Sequence, residues 1–433
     1  MEYVRAVHAN LQSSIFTLMR ILHLIHQYPP EFVGGSELHT QRLARRQAAA
    51  GHEVAVFTRV PGSGMTTRED TGVRIYAAGH GTTTPTQRFL ATWGDGDLTA
   101  GFDRALEAVQ PDLIHIQHMM GQPYAIFRRI RTAQIPAVMT LHDFWWVCAN
   151  AQLLTNYSRE ICAGPALWLN CARCMLARGE QAAAWVAYPA LPPLLGVRSR
   201  MLRAVMEYAA ALLAPCAFVR DWYADHGAPP DRTRVLPLGI DAPPEEAGDA
   251  PPVRRANEPL RVLYAGGLAW QKGVHILLEA ARSVTGPLAV EIAGDPADYP
   301  AYVADLRELA DARVHFLGRL DRAALWTAMR RAHLIAVPAL WYETYSFLIR
   351  EAFAVQRPVF ASNLGAPADA VRHDVDGLLL PPGDVEAWRA ALQRAVDEPA
   401  LLTRLGAAAR PPMTLEAESE QTLAIYADVL RAA

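Results

Sequence analysis

Two glutamates beside a predicted helix are the residues that most directly suggest ligand binding. Glu343 and Glu351 lie eight positions apart. The apolar run 334–338 before them predicts a strand, and residues 348–355 predict a helix. In such a strand–loop–helix unit, Glu343 lies in the loop, and Glu351 lies in the helix about two helical turns further along the chain. The two carboxylates can then meet two parts of one extended ligand, although solvated surface charge is the alternative interpretation.

A glycine loop upstream of this pair carries a lysine. Residues 260–265 predict a strand, and the loop after it contains Gly266, Gly267 and Lys272 before a helix predicted over 274–284. Loops that follow parallel strands lie at the edge of the sheet where α/β proteins bind ligands. Free N–H groups at a helix start, together with an ammonium group, suit a phosphate.

Other candidate residues follow strands in the same way. Gly294 and Asp295 end the predicted strand 289–293, and His142 comes directly after the strand 137–141. The position of His142 after a strand favours contact with a ligand, and the alternative is that its side chain only forms a hydrogen bond to a neighbouring carbonyl. Near the N-terminus, Gly34 and Gly35 lie between a strand predicted at 21–25 and a helix predicted at 38–50. Glycines there let the backbone approach a ligand closely.

Four cysteines form a separate candidate site. Cys148, Cys162, Cys171 and Cys174 fall in one loop-like segment and end in a Cys-x-x-Cys pair. Four thiolates can bind zinc tetrahedrally, which would hold a long insertion together. The wide spacing between the first two cysteines leaves reduced packing cysteines or a redox pair as alternatives.

The elements that position these residues divide into two α/β halves. Each half begins with a strand and a glycine loop, and residues 242–258, rich in proline, alanine and acids, are typical of a linker between them. Residues 1–18 lack the features of a secretory signal, so we interpret them as an extension before Met19. The cleft between two such halves is the expected ligand site.

Composition limits the class of protein. The 433 residues are 51% hydrophobic and 20% charged, with a net charge of -3, which is typical of a globular enzyme and predicts no nucleic-acid partner. Five cysteines in a chain of this length favour an intracellular, cytoplasmic setting. Two arginine groups suggest either solvated helix faces or peripheral membrane contact at the inner face: Arg128, Arg129 and Arg131, and Arg198, Arg200 and Arg203.

Taken in order, these pieces resemble the retaining glycosyltransferases of family 4, which have the GT-B fold. The resemblance extends over nearly all of residues 19–433. It is carried by Gly34-Gly35, Thr140-Leu141-His142-Asp143, Pro237-Leu238-Gly239-Ile240-Asp241, Lys272-Gly273, the Glu343–Glu351 pair and Asp376-Gly377-Leu378-Leu379.

The resemblance implies two Rossmann-like parallel-sheet domains facing across a cleft, with a C-terminal helix that crosses back. The domains would be an acceptor domain at 19–241, with the cysteine insertion at 148–190, and a nucleotide-sugar domain at 259–410. Residues 411–433 would form the returning helix. The implied reaction moves a sugar from a nucleoside-diphosphate sugar to a glycan or lipid-linked acceptor, with no cofactor required for catalysis and structural zinc as a separate option.

The resemblance also implies roles for individual residues. His142, Lys272 and Glu343 would be catalytic. Lys272 would neutralise the leaving diphosphate, Glu343 would hold hydroxyls of the transferred sugar, and Glu351 would hold both ribose hydroxyls. The implied donor-binding residues are Gly34, Gly35, Gly266, Gly267, Lys272, Gly294, Asp295, Glu343, Tyr345, Ser346, Phe347, Leu348 and Glu351.

Two positions depart from the family pattern. Gly267 stands where the family often has arginine, and Ser346 where it often has glycine. Loss of that arginine removes a cation from the diphosphate site. The alternatives to a retaining glycosyltransferase are a nucleotide-sugar epimerase or phosphorylase of the GT-B class, or a non-catalytic glycan-binding scaffold with the same fold.

Overall fold

A computed structural model describes residues 18–80, 84–179, 182–244, 253–255 and 257–433. Residues 1–17 of the expected extension lie outside the described residues, as do 245–252 and 256 of the expected linker. The chain divides into two compact units. One comprises residues up to Met139 with 208–211 and 422–433, and the other comprises 140–207 and 212–421.

The strands before the expected linker form one eight-stranded sheet, ordered β3-β4-β2-β1-β5-β6-β7-β8. β1 pairs in parallel with β2 and β5, β2 with β4, β5 with β6, and β7 with β8, while β3 runs antiparallel to β4. The strands are β1 (Arg20–Leu24), β2 (Glu53–Pro61), β3 (Met65–Asp70), β4 (Val73–His80), β5 (Leu113–Ile116), β6 (Ala137–Thr140), β7 (Ala211–Ala214) and β8 (Thr233–Val235). The helices are α1 (Gly35–Ala49), α2 (Pro85–Ala91), α3 (Gly96–Val109), α4 (Tyr124–Thr132), α5 (Leu169–Gly179), α6 (Leu191–Tyr208) and α7 (Ala217–Asp225), with a 3-10 helix at Ala182–Ala190.

The strands after the expected linker form a six-stranded parallel sheet, ordered β11-β10-β9-β12-β13-β14. Its strands are β9 (Leu260–Ala265), β10 (Leu288–Ala293), β11 (Val314–Gly318), β12 (Leu334–Val337), β13 (Val359–Ser362) and β14 (Gly377–Leu380). The helices are α8 (Val274–Arg282), α9 (Pro300–Leu309), α10 (Arg322–Arg331), α11 (Phe347–Ala354), α12 (Ala366–Ala370), α13 (Val385–Asp397), α14 (Pro399–Ala407) and α15 (Leu415–Ala432), with a 3-10 turn at Trp270–Lys272.

Both faces of the six-stranded sheet are covered, so its strands are apolar almost throughout. Val262 and Val290 point into one buried cluster, where Leu277 of α8 and Trp388 of α13 pack. Leu263 and Ile335 point into a second cluster on the other face, with Ile349 of α11. This layering confirms the expected α/β class with two Rossmann-like parallel sheets.

The C-terminal helix α15 belongs to both compact units along its length. Glu418, in one unit, accepts a hydrogen bond from the backbone N–H of Gly239 at 2.7 Å. Tyr426, in the other unit, is fully buried and its hydroxyl bonds to His115 and Gln47. Residues 422–432 of α15 thus pack against β5 and α1 within their own unit, and the return of the whole segment 411–433 to the first domain stays a prediction.

Two sequence expectations need correction. Helix α1 begins at Gly35 instead of residue 38, because Gly34 is extended and serves as the N-cap. Arg198 is not on a solvated or membrane-facing helix side. It is buried, stacks on Trp145 at 4.8 Å and donates a hydrogen bond to the Trp145 carbonyl at 3.0 Å.

Across the described ranges, we find no helix with the length and apolar character needed to span a bilayer.

Candidate functional site

The lysine loop is fixed against the segment that follows β12. Its last residue, Gly273, has φ +72, and a Cβ there would lie 1.8 Å from the Pro338 carbonyl oxygen. The N–H of Leu340 also donates to the Gln271 carbonyl at 2.8 Å. Only glycine permits both the left-handed backbone and this approach. The contact brings Lys272 to the loop that carries the first glutamate.

Lys272 and Glu343 form an ion pair at the centre of the candidate site. The lysine Nζ lies 2.8 Å from Glu343 Oε1 and 5.0 Å from the centre of the Trp341 ring. Burial of the carboxyl favours its neutral form, but the charge and hydrogen bond of Lys272 and a hydrogen bond from Ser346 outweigh that effect. The pKa of Glu343 is therefore lowered, and the carboxylate is ionised at neutral pH.

His142 lies beside the same loop, as expected from its place after β6. The hydroxyl of Thr344 donates to the His142 carbonyl at 2.6 Å, and the Cys216 thiol donates to the Thr344 carbonyl at 3.4 Å. All three residues belong to one compact unit. The backbone of His142 thus lies next to the loop that carries Glu343, and Glu343 in turn contacts Lys272.

The turn into α11 explains the glycine preference at position 346. Ser346 is the N-cap residue and adopts a left-handed backbone with φ 59, which glycine reaches without strain. Phe347 is the first helical residue and Leu348 the second. Tyr345 is buried, and its hydroxyl donates to the Leu238 carbonyl. The orphan N–H groups of this helix start therefore lie next to the Lys272–Glu343 pair.

Glu351 is buried on α11, but its carboxylate already has a partner. Arg322, the first residue of α10, forms an ion pair with Glu351 and stacks on Trp326 at 4.5 Å. Within the described part of the chain, the Nε and Nη2 atoms of Arg322 have no hydrogen-bond partner. Any ligand hydroxyl that binds Glu351 must share the carboxylate with Arg322.

The other expected donor-site glycines lie at neighbouring strand ends of the second sheet. A Cβ on Gly294 would lie 2.4 Å from the Gly266 carbonyl oxygen, so these two loops touch. Gly267 is exposed, and nothing lies within 4 Å of a Cβ built there. Asp295 accepts a hydrogen bond from the Ala297 N–H at 2.9 Å and lies 3.8 Å from Arg319.

Gly34 and Gly35 open α1 in the other compact unit. The side chain of Glu37 folds back over them, since its Oε2 lies 2.4 Å from a Cβ built on Gly34. Glu37 is buried and lies 3.5 Å from His26 Nε2. Sequence reasoning overlooked both Glu37 and His26.

The four insertion cysteines line one small cavity. Burial and the neighbouring thiols raise the pKa of Cys171 to about 12 and that of Cys174 to about 11. Backbone N–H groups point at two of the sulfurs, from Asn156 to Cys174 at 3.3 Å and from Gly164 to Cys162 at 3.4 Å. All four are free thiols. Within the described residues, no three or more Cys, His, Asp or Glu side chains already form a ready-made metal site.

One signal in the sequence could have identified the centre of this site earlier. Lys272 is the only lysine in the chain, against 40 arginines. Trp341 and Arg322, which contact Lys272 and Glu351, had no comparable signal because each acts through a tertiary contact.

Family models match almost the whole chain. The model for Glycosyltransferase Family 4 matches residues 33–242, and the model for Glycosyl transferases group 1 matches residues 249–411.

Curated relatives and solved structures extend over similar lengths. Glycogen synthase of Mycobacterium tuberculosis is 27% identical over 96% of this chain and 95% of its own length. D-inositol 3-phosphate glycosyltransferase of Jonesia denitrificans is 26% identical over 91% of each chain. Among structures, sucrose-phosphate synthase from Thermosynechococcus elongatus has a TM-score of 0.69 at 21% identity, covering 95% of this chain and 99% of its own. Anabaena Alr3699/HepE in complex with UDP-glucose has a TM-score of 0.64 at 17% identity, covering 95% and 99%.

Proposed function

The chain belongs to glycosyltransferase family 4, and on this basis we propose that it transfers a sugar with retention of anomeric configuration to a glycan or glycolipid acceptor. The donor is a nucleoside-diphosphate sugar. The observation that carries the proposal is the partly buried Lys272–Glu343 ion pair, which lies beside His142 and at the start of α11.

The first requirement of such a reaction is that the negative charge on the leaving diphosphate be stabilised. As the sugar–phosphate bond breaks, negative charge grows on the diphosphate oxygens. The Lys272 ammonium and the backbone N–H groups around Ser346 and Phe347 are fixed donors that can stabilise this charge without reorganising. The loop contacts of Gly273 and Leu340 hold the ammonium in place.

The two carboxylates divide the remainder of the donor between them. Glu343, ionised by its contact with Lys272, accepts hydrogen bonds from hydroxyls of the transferred sugar. Glu351 lies two turns along α11 and accepts from the ribose hydroxyls, with Arg322 holding the carboxylate from the other side. His142 contacts the sugar near its anomeric carbon. A role for Gly34 and Gly35 toward the phosphates, which the family resemblance implies, stays a prediction because α1 belongs to the other compact unit.

The experiment that tests the proposal follows nucleoside diphosphate release from a panel of nucleotide sugars. UDP-glucose is the first member, because HepE was solved in complex with it. We expect release with one donor and a glycan or lipid-linked acceptor. Formation of an epimerised sugar without transfer to the acceptor would favour the epimerase class, and cleavage of a glycan by inorganic phosphate would favour the phosphorylase class. Silence with every donor beside measurable glycan binding would favour a scaffold.

Two alanine variants separate the roles of the glutamates. Glu343→Ala should lower kcat by about a hundredfold, since it disturbs the group that holds Lys272 and the sugar. Glu351→Ala should raise the donor KM by about tenfold with a smaller change in kcat, because it removes a hydrogen bond to a charged group from the part of the donor that stays behind. An identical defect in both variants would contradict this division, provided that thermal unfolding shows both variants to be folded.

For the four insertion cysteines we propose a structural zinc ion. Their shared cavity and the N–H groups directed at two sulfurs support this, because such donors stabilise thiolates. The sulfurs must lose their protons and move together on binding. Elemental analysis should find about one zinc per chain, lost in Cys171→Ser and retained in the matched control Cys216→Ser, whose thiol lies outside the cavity. A metal-free, fully folded wild-type protein would contradict the proposal.

Peripheral contact with the inner face of the cytoplasmic membrane remains a prediction, now without Arg198. Arg128, Arg129 and Arg131 are exposed on or near the end of α4. Co-sedimentation with vesicles that contain anionic lipid, at low and high salt, tests this. Binding that ignores both lipid charge and salt would exclude an electrostatic surface.

A further inference from the structure

The cysteine insertion brings an arginine to the lysine loop. The Arg159 guanidinium carbon lies 5.0 Å from the centre of the Trp270 ring. Trp270 begins the 3-10 turn that ends at Lys272, and all three residues belong to the same compact unit. The insertion is thus in contact with the loop that carries the proposed diphosphate ligand.

A short hairpin holds Arg159 in this position. Leu154 and Ile161 form an antiparallel bridge, and the N–H of Thr155 donates to the Glu160 carbonyl at 2.9 Å. Arg159 itself has a left-handed backbone with φ 58, and its N–H donates to the Thr155 carbonyl at 2.9 Å. Residues held this way in a sparsely populated conformation need such surrounding support.

The hairpin is in turn attached to the cysteine cluster. The N–H of Asn156 donates to Cys174 Sγ at 3.3 Å, and its side-chain amide donates to the Cys174 carbonyl at 2.9 Å. On the other strand, the N–H of Cys162 donates to the Leu153 carbonyl at 2.8 Å. The cluster therefore fixes both sides of the hairpin, whether or not a metal is bound.

Arg159 has charge to offer a ligand. It is exposed, and in the described part of the chain no carboxylate forms an ion pair with it. Its neighbour Glu160 instead accepts a hydrogen bond from the Ser158 hydroxyl at 2.9 Å. A guanidinium stacked on an aromatic face keeps its N–H groups available in a plane that matches two phosphate oxygens.

We propose that Arg159 is a second cation for the diphosphate of the donor, and that it takes the place of the arginine absent at Gly267. Position 267 is exposed, and nothing lies within 4 Å of a Cβ built there, so the loop itself supplies no cation at this point besides Lys272. The inference rests on the proposed function, because it assumes that a nucleoside diphosphate binds at this loop. It gives the insertion a role in donor binding.

The test compares a nucleoside diphosphate with its nucleoside. Binding of UDP and GDP, and of uridine and guanosine, is measured by calorimetry on the full-length wild-type chain, Arg159→Ala and Arg159→Lys. Arg173→Ala is the matched control, because Arg173 is an exposed arginine of the same insertion that stacks on Tyr157 at 4.1 Å. We expect Arg159→Ala to weaken diphosphate binding about tenfold and to leave nucleoside binding unchanged.

The remaining outcomes separate this inference from the proposed function. Two results would support the inference. Arg159→Lys, which retains the charge, should partly recover diphosphate affinity, and Arg173→Ala, which removes a charge elsewhere, should bind the diphosphate as wild type does. Equal diphosphate affinity in wild type and Arg159→Ala would overturn the inference alone. If the wild-type chain bound no nucleoside diphosphate, the proposed function itself would fail together with it.

Discussion

At the scale of single residues, the state of Glu343 depends on one neighbour. A carboxyl as buried as this one favours its neutral form, so its low pKa is maintained by the charge of Lys272. The pair also explains how a lysine with 29% of its side chain exposed can hold one orientation. Each residue orients the other for a ligand that needs both a cation and a hydrogen-bond acceptor.

This dependence predicts how stability changes with pH. The pKa of Glu343 is lowered on folding, so the ion pair contributes stability that is fully present above the ordinary glutamate value, about 4.3, and is lost as pH falls through the folded value. Glu343→Gln should be about 1–3 kcal/mol less stable than wild type at pH 7. Urea unfolding between pH 3 and 8 should show this gap narrow as the solution becomes acidic.

A surface pair provides the control for that measurement. Glu386 and Arg389 also form an ion pair, but Glu386 is exposed, and water screens the interaction. Glu386→Gln should leave stability nearly unchanged across the same pH range. A constant gap between Glu343→Gln and wild type would show that the charge of Glu343 is not what stabilises the site.

At the scale of elements, close approaches of backbone position the site. The lysine loop reaches the chain after β12 through Gly273, and the loops after β9 and β10 meet through Gly294. Neither contact tolerates a side chain. Both lie where strands end, so glycine at these points determines how the loops of neighbouring strands assemble.

An alanine substitution measures the cost of that approach. Gly273→Ala places a Cβ 1.8 Å from the Pro338 carbonyl oxygen and retains φ +72, so we expect a loss of about 2–4 kcal/mol in unfolding free energy. Gly267→Ala is the control in the same loop, with nothing within 4 Å of its Cβ, and should change stability by less than about 0.5 kcal/mol. Equal effects in chemical denaturation would mean that the contact does not hold the loop.

The sequence predicts the buried strands well because their apolar runs are short and continuous. The prediction matches β9 at Leu260–Ala265 residue for residue and differs by one residue at β12, Leu334–Val337. It misses β3, whose residues Met65–Asp70 are mostly polar and partly exposed, because that strand is held by antiparallel pairing with β4. The pattern of apolar residues along the sequence indicates which strands are buried, and it carries little information about an edge strand.

The candidate site divides in the same way. Lys272, Glu343 and His142 could be found because each follows a predicted strand. Arg322 could not, since it is 29 residues from Glu351 and on a different helix. Arg159 was hidden for a second reason: its role depends on a hairpin within an insertion that has no regular apolar pattern.

At the scale of the whole molecule, the choice of basic residues is informative. The chain uses arginine at every basic position but one, and the exception is Lys272. A guanidinium spreads its charge over a plane, whereas an ammonium is a compact charge with three donors. Lys272 faces a carboxylate and a tryptophan ring, and with the proposed phosphate as a third neighbour the site favours the compact group.

That composition makes the whole protein suitable for a single-site chemical test. An amine-selective acetylating reagent can modify only Lys272 and the chain's α-amino group, so intact mass should rise by at most two acetyl groups. Peptide mapping should show slow modification of Lys272, because its amine is held in an ion pair with Glu343 and its side chain is only partly exposed. A nucleoside diphosphate at about ten times its Kd should slow that modification about tenfold, since only the unoccupied fraction reacts. The α-amino group reports reagent strength in the same sample, and Glu343→Gln should accelerate labelling at Lys272 alone. If a bound nucleoside diphosphate left the Lys272 rate unchanged, the lysine would lie outside the donor site.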